Sequence, residues 1–369
     1  MRMRALALIA LTACGAAHGS HSAPSPAQDA RFDAVLAYLR TQVDSAFPGA
    51  VVAVGRRDSV LLLAAVGHYG IDDPRPVTPE TVYDMASLTK VIGLTTACMM
   101  LVSEQKLDLD APVQRYVPAF RGPGKERVTI RNLLTHSSGL PAWRPLYTET
   151  TTRATAFALA DTTALLRQPG DTFVYSDLGA IVLTQAVEGI TGQRLDAFLD
   201  ARVFRPLQLT STRYLPPTAW RDRIAPTERS QDGTIIRGTV HDENAWRLGG
   251  VSGHAGLFST AGDLARFAQW LLGQPAFLEW TRRQNVPPGS SRALGWDTPS
   301  EISSAGTKLG PRAFGHTGFT GTSIWIDPEK DLFIILLTNR VNPTRENGRI
   351  ARVRPRVADL VVDALTPPR

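Results

Sequence analysis

Cysteine is nearly absent from this chain, with two in 369 residues. Neither sits in a Cys-x-x-Cys pair, which excludes the common zinc-ribbon and dithiol redox patterns. His241-Asp242-Glu243 lacks the spacing of His-Glu-x-x-His, so no metal site is expected. A block of basic residues is also missing. The net charge of +6 comes mostly from arginines spread along the chain, and no nucleic-acid partner is expected. At most it gives a mild attraction to an anionic surface. Gly-x-Ser-x-Gly is absent, which removes the ordinary α/β-hydrolase elbow. There is no Gly-rich phosphate loop and no internal repeat, and no cofactor is implied. What remains is ordinary for a folded protein with a sizeable core: 43% apolar and 20% charged residues. The length suits one large unit or two domains.

The N-terminus carries two early arginines and a short apolar stretch, "MRMRALALIALTAC". The stretch is too short to span a bilayer permanently and reads as an export signal. Leu11-Thr12-Ala13-Cys14 resembles a bacterial lipobox, in which Cys14 is lipidated and becomes the first mature residue. The alternative is a plain secretory signal cut near Ala17-His18-Gly19. Residues 15–30 are small, polar and Pro-containing, as a flexible tether should be. A lipid-anchored protein of the periplasm or cell envelope is therefore expected. Gly15, with no acid after Cys14, favours the outer membrane over the inner. With Cys14 lipidated, only Cys98 is left; no disulfide is possible, and Cys98 reads as a small core residue.

Hydrophobic spacing predicts a helix over 31–43, with Phe32, Val35, Leu36, Leu39 and Val43 on one face. Two strands follow, around the turn Arg57-Asp58-Ser59. Residues 85–285 are mostly helical in pattern. "STAGDLARFAQWLL" is the clearest case, capped by Thr260 with Leu264, Phe267 and Leu271 as a stripe. Strand-like runs return at "ALGW", "TSIWID" and "LFIILLTN", the last two forming a hairpin across 322–338. A closing helix is expected from Pro355. The fold class is α+β: an antiparallel sheet flanked by helices, with a mostly helical inserted region. The expected division is 1–30 signal and tether, 31–85 with 286–369 as the sheet subdomain, and 86–285 as the helical subdomain.

Ser87-Leu88-Thr89-Lys90 places a hydroxyl and an amine i,i+3 at the start of an apolar run, one helical turn apart. A helix N-terminus there would favour developing negative charge. Tyr175-Ser176-Asp177 and His316-Thr317-Gly318 follow in order. Ser-x-x-Lys, Tyr-x-Asp and His-Thr-Gly, with flanks such as "VTIRNLLTHSSGLP" and "LGGVSGHAGLFSTAGDLARF", resemble the penicillin-recognising serine hydrolases. That group includes class C β-lactamases, low-molecular-mass D-Ala-D-Ala carboxypeptidases, D-aminopeptidases and related esterases. The resemblance covers about residues 31–365 and is nearest to the carboxypeptidase subgroup around penicillin-binding protein 4B. It implies a β-lactamase/transpeptidase-like fold.

The resemblance also implies roles. Ser87 is the nucleophile of an acyl-enzyme, Lys90 and Tyr175 share the proton work, and the N–H groups of Ser87 and Phe319 form the oxyanion hole. Asp177, His316, Thr317, Gly318 and His254 are expected to contact substrate. Gly318 would leave the strand edge open to substrate. His136 and His241 are expected to be structural; Trp143 could line the cleft or pack.

Two departures bear on substrate. Where the β-lactamase version has lysine, His316 should be largely neutral at pH 7 and hold a carboxylate less firmly. Asp177 replaces the usual asparagine; it donates no hydrogen bond and should pair with Lys90, raising that lysine's pKa and favouring Tyr175 as base. Both argue against an efficient β-lactamase. D-Ala-D-Ala carboxypeptidase or endopeptidase action on peptidoglycan peptides is the first expectation. A carboxylesterase on small acyl substrates or a weak β-lactamase is the alternative, and a penicillin- or peptidoglycan-binding protein without turnover is the non-enzymatic one.

Overall fold

The computed structural model describes residues 29–366. Cys14 and the signal expected around it lie outside the described residues. No described helix is long and apolar enough to cross a membrane.

Nine strands form two sheets. Gly49–Arg56 (β1), Ser59–Gly70 (β2) and Asp73–Pro76 (β3) come from the N-terminal part. Tyr83–Asp84 (β4), Arg213–Tyr214 (β5) and Leu257–Ser259 (β6) are short and central. Phe314–Thr317 (β7), Ser323–Asp327 (β8) and Leu332–Thr338 (β9) are C-terminal. The main sheet is antiparallel, in the order β3-β2-β1-β9-β8-β7. The two ends of the chain meet where β1 pairs with β9.

Alternation along these strands explains why both faces are covered. From β1, Ala50, Val52 and Val54 join Leu332, Ile334 and Leu336 of β9 on one face. They pack against Phe32, Val35, Leu36 and Leu39 of the helix Asp33–Gln42 with its preceding turn, and Val353, Val357 and Val361 of the helix Ile350–Leu365. On the other face, Val51, Ala53, Phe333, Ile335 and Leu337 meet Leu264, Phe267 and Leu271 of the helix Ala261–Leu272. Each fully buried aliphatic side chain contributes about 1.5–3 kcal/mol. The continuous apolar reading of β9 follows from this double burial.

The segment after β2 forms the edge strand β3, where a proline costs no ladder bond on its open side. The structure differs from the sequence expectation in three places. The central region carries the small sheet β4-β6-β5 as well as helices. "ALGW" is a turn, with Gly295 at φ +80° and Trp296 fully buried. The closing helix begins at Ile350, and Pro355 lies inside it. Ile350 and Val353 are buried in the same core and extend the helix back past the proline.

Candidate active site

Ser87 stands in a turn, not at the N-terminus of a regular α-helix. Asp84 at the end of β4 accepts from the Ala86 N–H at 2.8 Å, and Ala86 takes a left-handed φ of +46°. The Lys90 N–H bonds back to the Ser87 carbonyl at 3.0 Å. A π-helical stretch, Lys90–Thr95, then runs into the α-helix Thr96–Ser103. Strain of this kind in a non-glycine residue persists only where the surroundings fix it, and it gathers at functional sites. The surroundings here are a buried carboxylate: Asp84 also accepts from the His241 N–H at 2.7 Å. Burial pushes the Asp84 carboxyl up, against the pull of those two backbone donors.

Lys90 is buried, and its Nζ lies 3.0 Å from Ser87 Oγ and 3.0 Å from the carbonyl of His254. Asp177 Oδ1 is 2.6 Å away, an ion pair approached off the ideal hydrogen-bond direction. Burial pulls the lysine's pKa down, but the Asp177 carboxylate and then Tyr175 outweigh it and hold it above the ordinary value. Lys90 is a cation in this state.

Tyr175 is positioned by its neighbours. The Val174 N–H donates to the His136 carbonyl at 2.9 Å, and the Ser176 N–H to His136 Nδ1 at 3.1 Å. Ser176 caps the helix Asp177–Thr191, accepting from the Gly179 N–H at 3.2 Å. The Tyr175 ring rests on His136 with centroids 4.5 Å apart, and Lys90 Nζ lies 5.0 Å from its centroid. Its hydroxyl is buried and has no hydrogen-bond partner among the described residues. Burial first, then Arg292, keeps His136 well below the usual histidine range, as suits a ring that accepts from a backbone N–H.

The sheet wall is β7 and the loop after it. Thr320 Oγ1 donates to the Asp84 carbonyl at 2.7 Å and Thr322 Oγ1 to the Met85 carbonyl at 3.1 Å, binding this loop to the segment ahead of Ser87. Among the described residues, neither the Ser87 nor the Phe319 N–H has an acceptor. Packing alone requires glycine at position 318. A Cβ there would meet Thr322 Oγ1 at 2.1 Å and the Met85 carbonyl at 2.5 Å.

His316 is neutral. Burial, then the charges of Arg292 and Lys90, push its pKa well below the ordinary value. Nδ1 donates to the Thr317 carbonyl at 2.8 Å, so Nε2 presents a lone pair, and it has no partner among the described residues.

His254 requires correction. It is fully buried and does not line the cleft. Nε2 meets Asp242 at 2.8 Å and Nδ1 meets Ser252 Oγ at 2.7 Å, so both ring nitrogens are spent. The group has the order of a Ser-His-Asp triad, but Ser252 is inaccessible. Its effect is to fix the carbonyl that receives Lys90. His241 does reach the cleft, stacked on Phe319 at 5.7 Å and bonded to Glu228 at 3.0 Å.

Ser87, Tyr175, Asp177, His316, Thr317, Gly318 and Phe319 line one cleft of about 720 Å³, with Trp143 at its edge. That volume is within the usual range for small-molecule sites. Arginines on the same walls were not expected. Arg292 places its guanidinium 5.5 Å from the Tyr175 ring and 5.0 Å from the Phe173 ring. Its Nε and Nη1 are buried without hydrogen-bond partners among the described residues, with Asp297 no nearer than 3.8 Å. Its segment carries no motif, so only three-dimensional placement could reveal it.

A serine, a charged lysine and an unpaired phenol meet at one cleft, the groups that an acyl transfer needs. Residues 30–358 match the family model Beta-lactamase, and the chain belongs to that family, one of serine hydrolases of β-lactamase and penicillin-binding type. A protein of Salmonella schwarzengrund (strain CVM19633) named "Putative D-alanyl-D-alanine carboxypeptidase" is 31% identical over 363 residues, 85% of this chain and 83% of that protein. Among solved structures, a penicillin-binding protein homologue from Caulobacter crescentus has a TM-score of 0.74 at 20% identity, covering 92% of this chain and 99% of its own. EstCE1, described as a hydrolase with promiscuous acyltransferase activity, has 0.69 at 22%, covering 89% and 99%. These structural likenesses concern the α+β fold alone.

Proposed function

We propose that this protein is a D-Ala-D-Ala-type carboxypeptidase working through an acyl-enzyme on Ser87. Ser87 Oγ attacks the acyl carbonyl, its proton passes to Tyr175 acting in its phenolate form, and the C–N bond breaks as the leaving amine takes that proton from the phenol so formed. Water then attacks the ester, releasing the acyl group and restoring Ser87. Charged Lys90, locked by Asp177, stabilises negative charge arising on the serine and phenol oxygens. The Ser87 and Phe319 N–H groups receive the carbonyl oxygen as it becomes an oxyanion.

The observation that carries the peptidase reading is Arg292. A neutral His316 cannot hold a leaving-group carboxylate by charge, but the guanidinium of Arg292, a residue that lines the cleft beside Tyr175, can. The name of the Salmonella relative points the same way. The exposed apolar residues at the mouth, Trp143, Ile302 and Phe319, favour a second reading, hydrolysis of carboxylic esters with apolar acyl groups.

The two readings separate in Arg292→Leu, assayed on benzoylglycyl thioglycolate and its methyl ester. A charge-assisted hydrogen bond of about 1.5–3 kcal/mol corresponds to a KM for the carboxylate rising roughly 10–100-fold, the methyl ester being little changed. Equal effects on both substrates would remove the peptidase reading and leave the esterase.

A further inference from the structure

Two arginines that also line the cleft hold the loop that supplies the Phe319 N–H, and neither has a carboxylate partner among the described residues. Arg354, from the closing helix, donates through Nη2 to the Gly318 carbonyl at 2.6 Å and to the Thr322 carbonyl at 2.9 Å. Arg340, just after β9, donates through Nε to the Phe319 carbonyl at 2.7 Å, with its guanidinium 4.3 Å from the Phe319 ring centroid. Arg340 also holds the carbonyls of Arg345 and Asn347, at 2.7 and 2.9 Å. Arginines lodged among backbone carbonyls without a counter-ion are costly. Their target is the informative part. The Gly318 carbonyl and the Phe319 N–H are the two ends of one peptide group. A cation donating to the oxygen end draws electron density from the nitrogen end and strengthens that N–H as a donor.

We propose that Arg354 is a positioning residue of the oxyanion hole, pinning and polarising the Gly318–Phe319 peptide so that the Phe319 N–H meets the developing oxyanion. Arg340 fixes the following peptide. The loop's own bonds agree: the Gly318 N–H closes on the Thr322 carbonyl at 2.7 Å and the Gly321 N–H on the Gly318 carbonyl at 3.1 Å. The carbonyls of Gly318, Phe319, Gly321 and Thr322 are all occupied, and the Phe319 N–H has no acceptor among the described residues. This inference rests on the acyl-transfer reading above.

The test compares Arg354→Met and Arg354→Lys with the parent protein. Each is assayed on benzoylglycyl thioglycolate and its methyl ester, and titrated with phenylboronic acid, which lacks a carboxylate and forms an anionic tetrahedral boronate on serine. Loss of a whole oxyanion donor costs about 10²–10³ in kcat, so loss of its polarising partner should cost roughly tenfold. That fall should be the same for both substrates, with KM within about twofold and phenylboronic acid weakened by a like factor. Arg354→Lys, which keeps a charged donor, should recover most of the rate. A loss confined to the carboxylate substrate would overturn the proposal in favour of direct anion binding. An unchanged kcat in Arg354→Met, or a Lys variant as slow as the Met variant at the parent's thermal midpoint, would also overturn it. Ser87→Ala, run in parallel, separates the levels. Parent-level hydrolysis in Ser87→Ala would remove the acyl-transfer reading itself, whatever Arg354 does.

Discussion

Ser87→Ala should lower kcat/KM by about 10⁴-fold or more, leaving only what oriented binding and the oxyanion donors supply. The size follows from the geometry. The proposed nucleophile, Ser87 Oγ, lies 3.0 Å from Lys90 Nζ, in a turn that the Asp84 carboxylate holds in a strained conformation. Ser252, though bonded to His254, is fully buried and cannot take its place. Replacing Oγ by hydrogen leaves the lysine paired with Asp177, so the fold should survive. The check is kcat/KM on benzoylglycyl thioglycolate beside the thermal midpoint. A variant within about tenfold of the parent would show that another group does the chemistry.

The second large effect is expected at Tyr175. Its replacement by phenylalanine should cost about 10²–10⁴-fold, the usual share of a general acid–base group. Lys90 cannot substitute for it as base, because the Asp177 carboxylate holds the ammonium charged. Lys90→Met should also be severely impaired, through loss of the charge beside Ser87 and Tyr175. The assignment is reversed if Tyr175→Phe stays near full activity and Lys90→Met does not. Asp177→Asn gives the pH signature. With the carboxylate gone, burial pulls the Lys90 pKa down from its raised value. Protonated Lys90 is then lost at lower pH, so the alkaline limb of the rate profile should move to lower pH. A limb unmoved in Asp177→Asn would mean that the charge on Lys90 does not govern the rate.

The sequence was most legible where one physical pattern dominates. The hairpins β1–β2 and β8–β9 announce themselves as apolar runs broken by Asp-containing turns, and Thr260 opens its helix as the capping pattern requires. Strands β4 and β5 are two residues long and carry no periodicity to detect. "ALGW" has strand composition, but Gly295 at φ +80° turns the chain so that Trp296 enters the core. Pro355 looked like a helix start because local sequence does not show Ile350 and Val353 packing against the N-terminal helix. In the site, Ser87, Lys90, Tyr175 and His316 lie in recognisable motifs, and the structure places them around one cleft. Arg292, Arg340 and Arg354 come from segments without a motif, and one arginine among many says nothing until its neighbours are known. His254 fails the other way. It lies in a motif-like loop, but its ring faces inward and only its carbonyl reaches Lys90.

The proposed mechanism makes Ser87 the one activated nucleophile. Treatment of the protein with a fluorophosphonate, followed by intact mass and peptide mapping, tests it without assuming a natural substrate. A single phosphonyl adduct on the peptide containing Ser87, absent from Ser87→Ala, is the expected result. Modification at another serine, or an unmodified protein under conditions that label a control serine hydrolase, would contradict it.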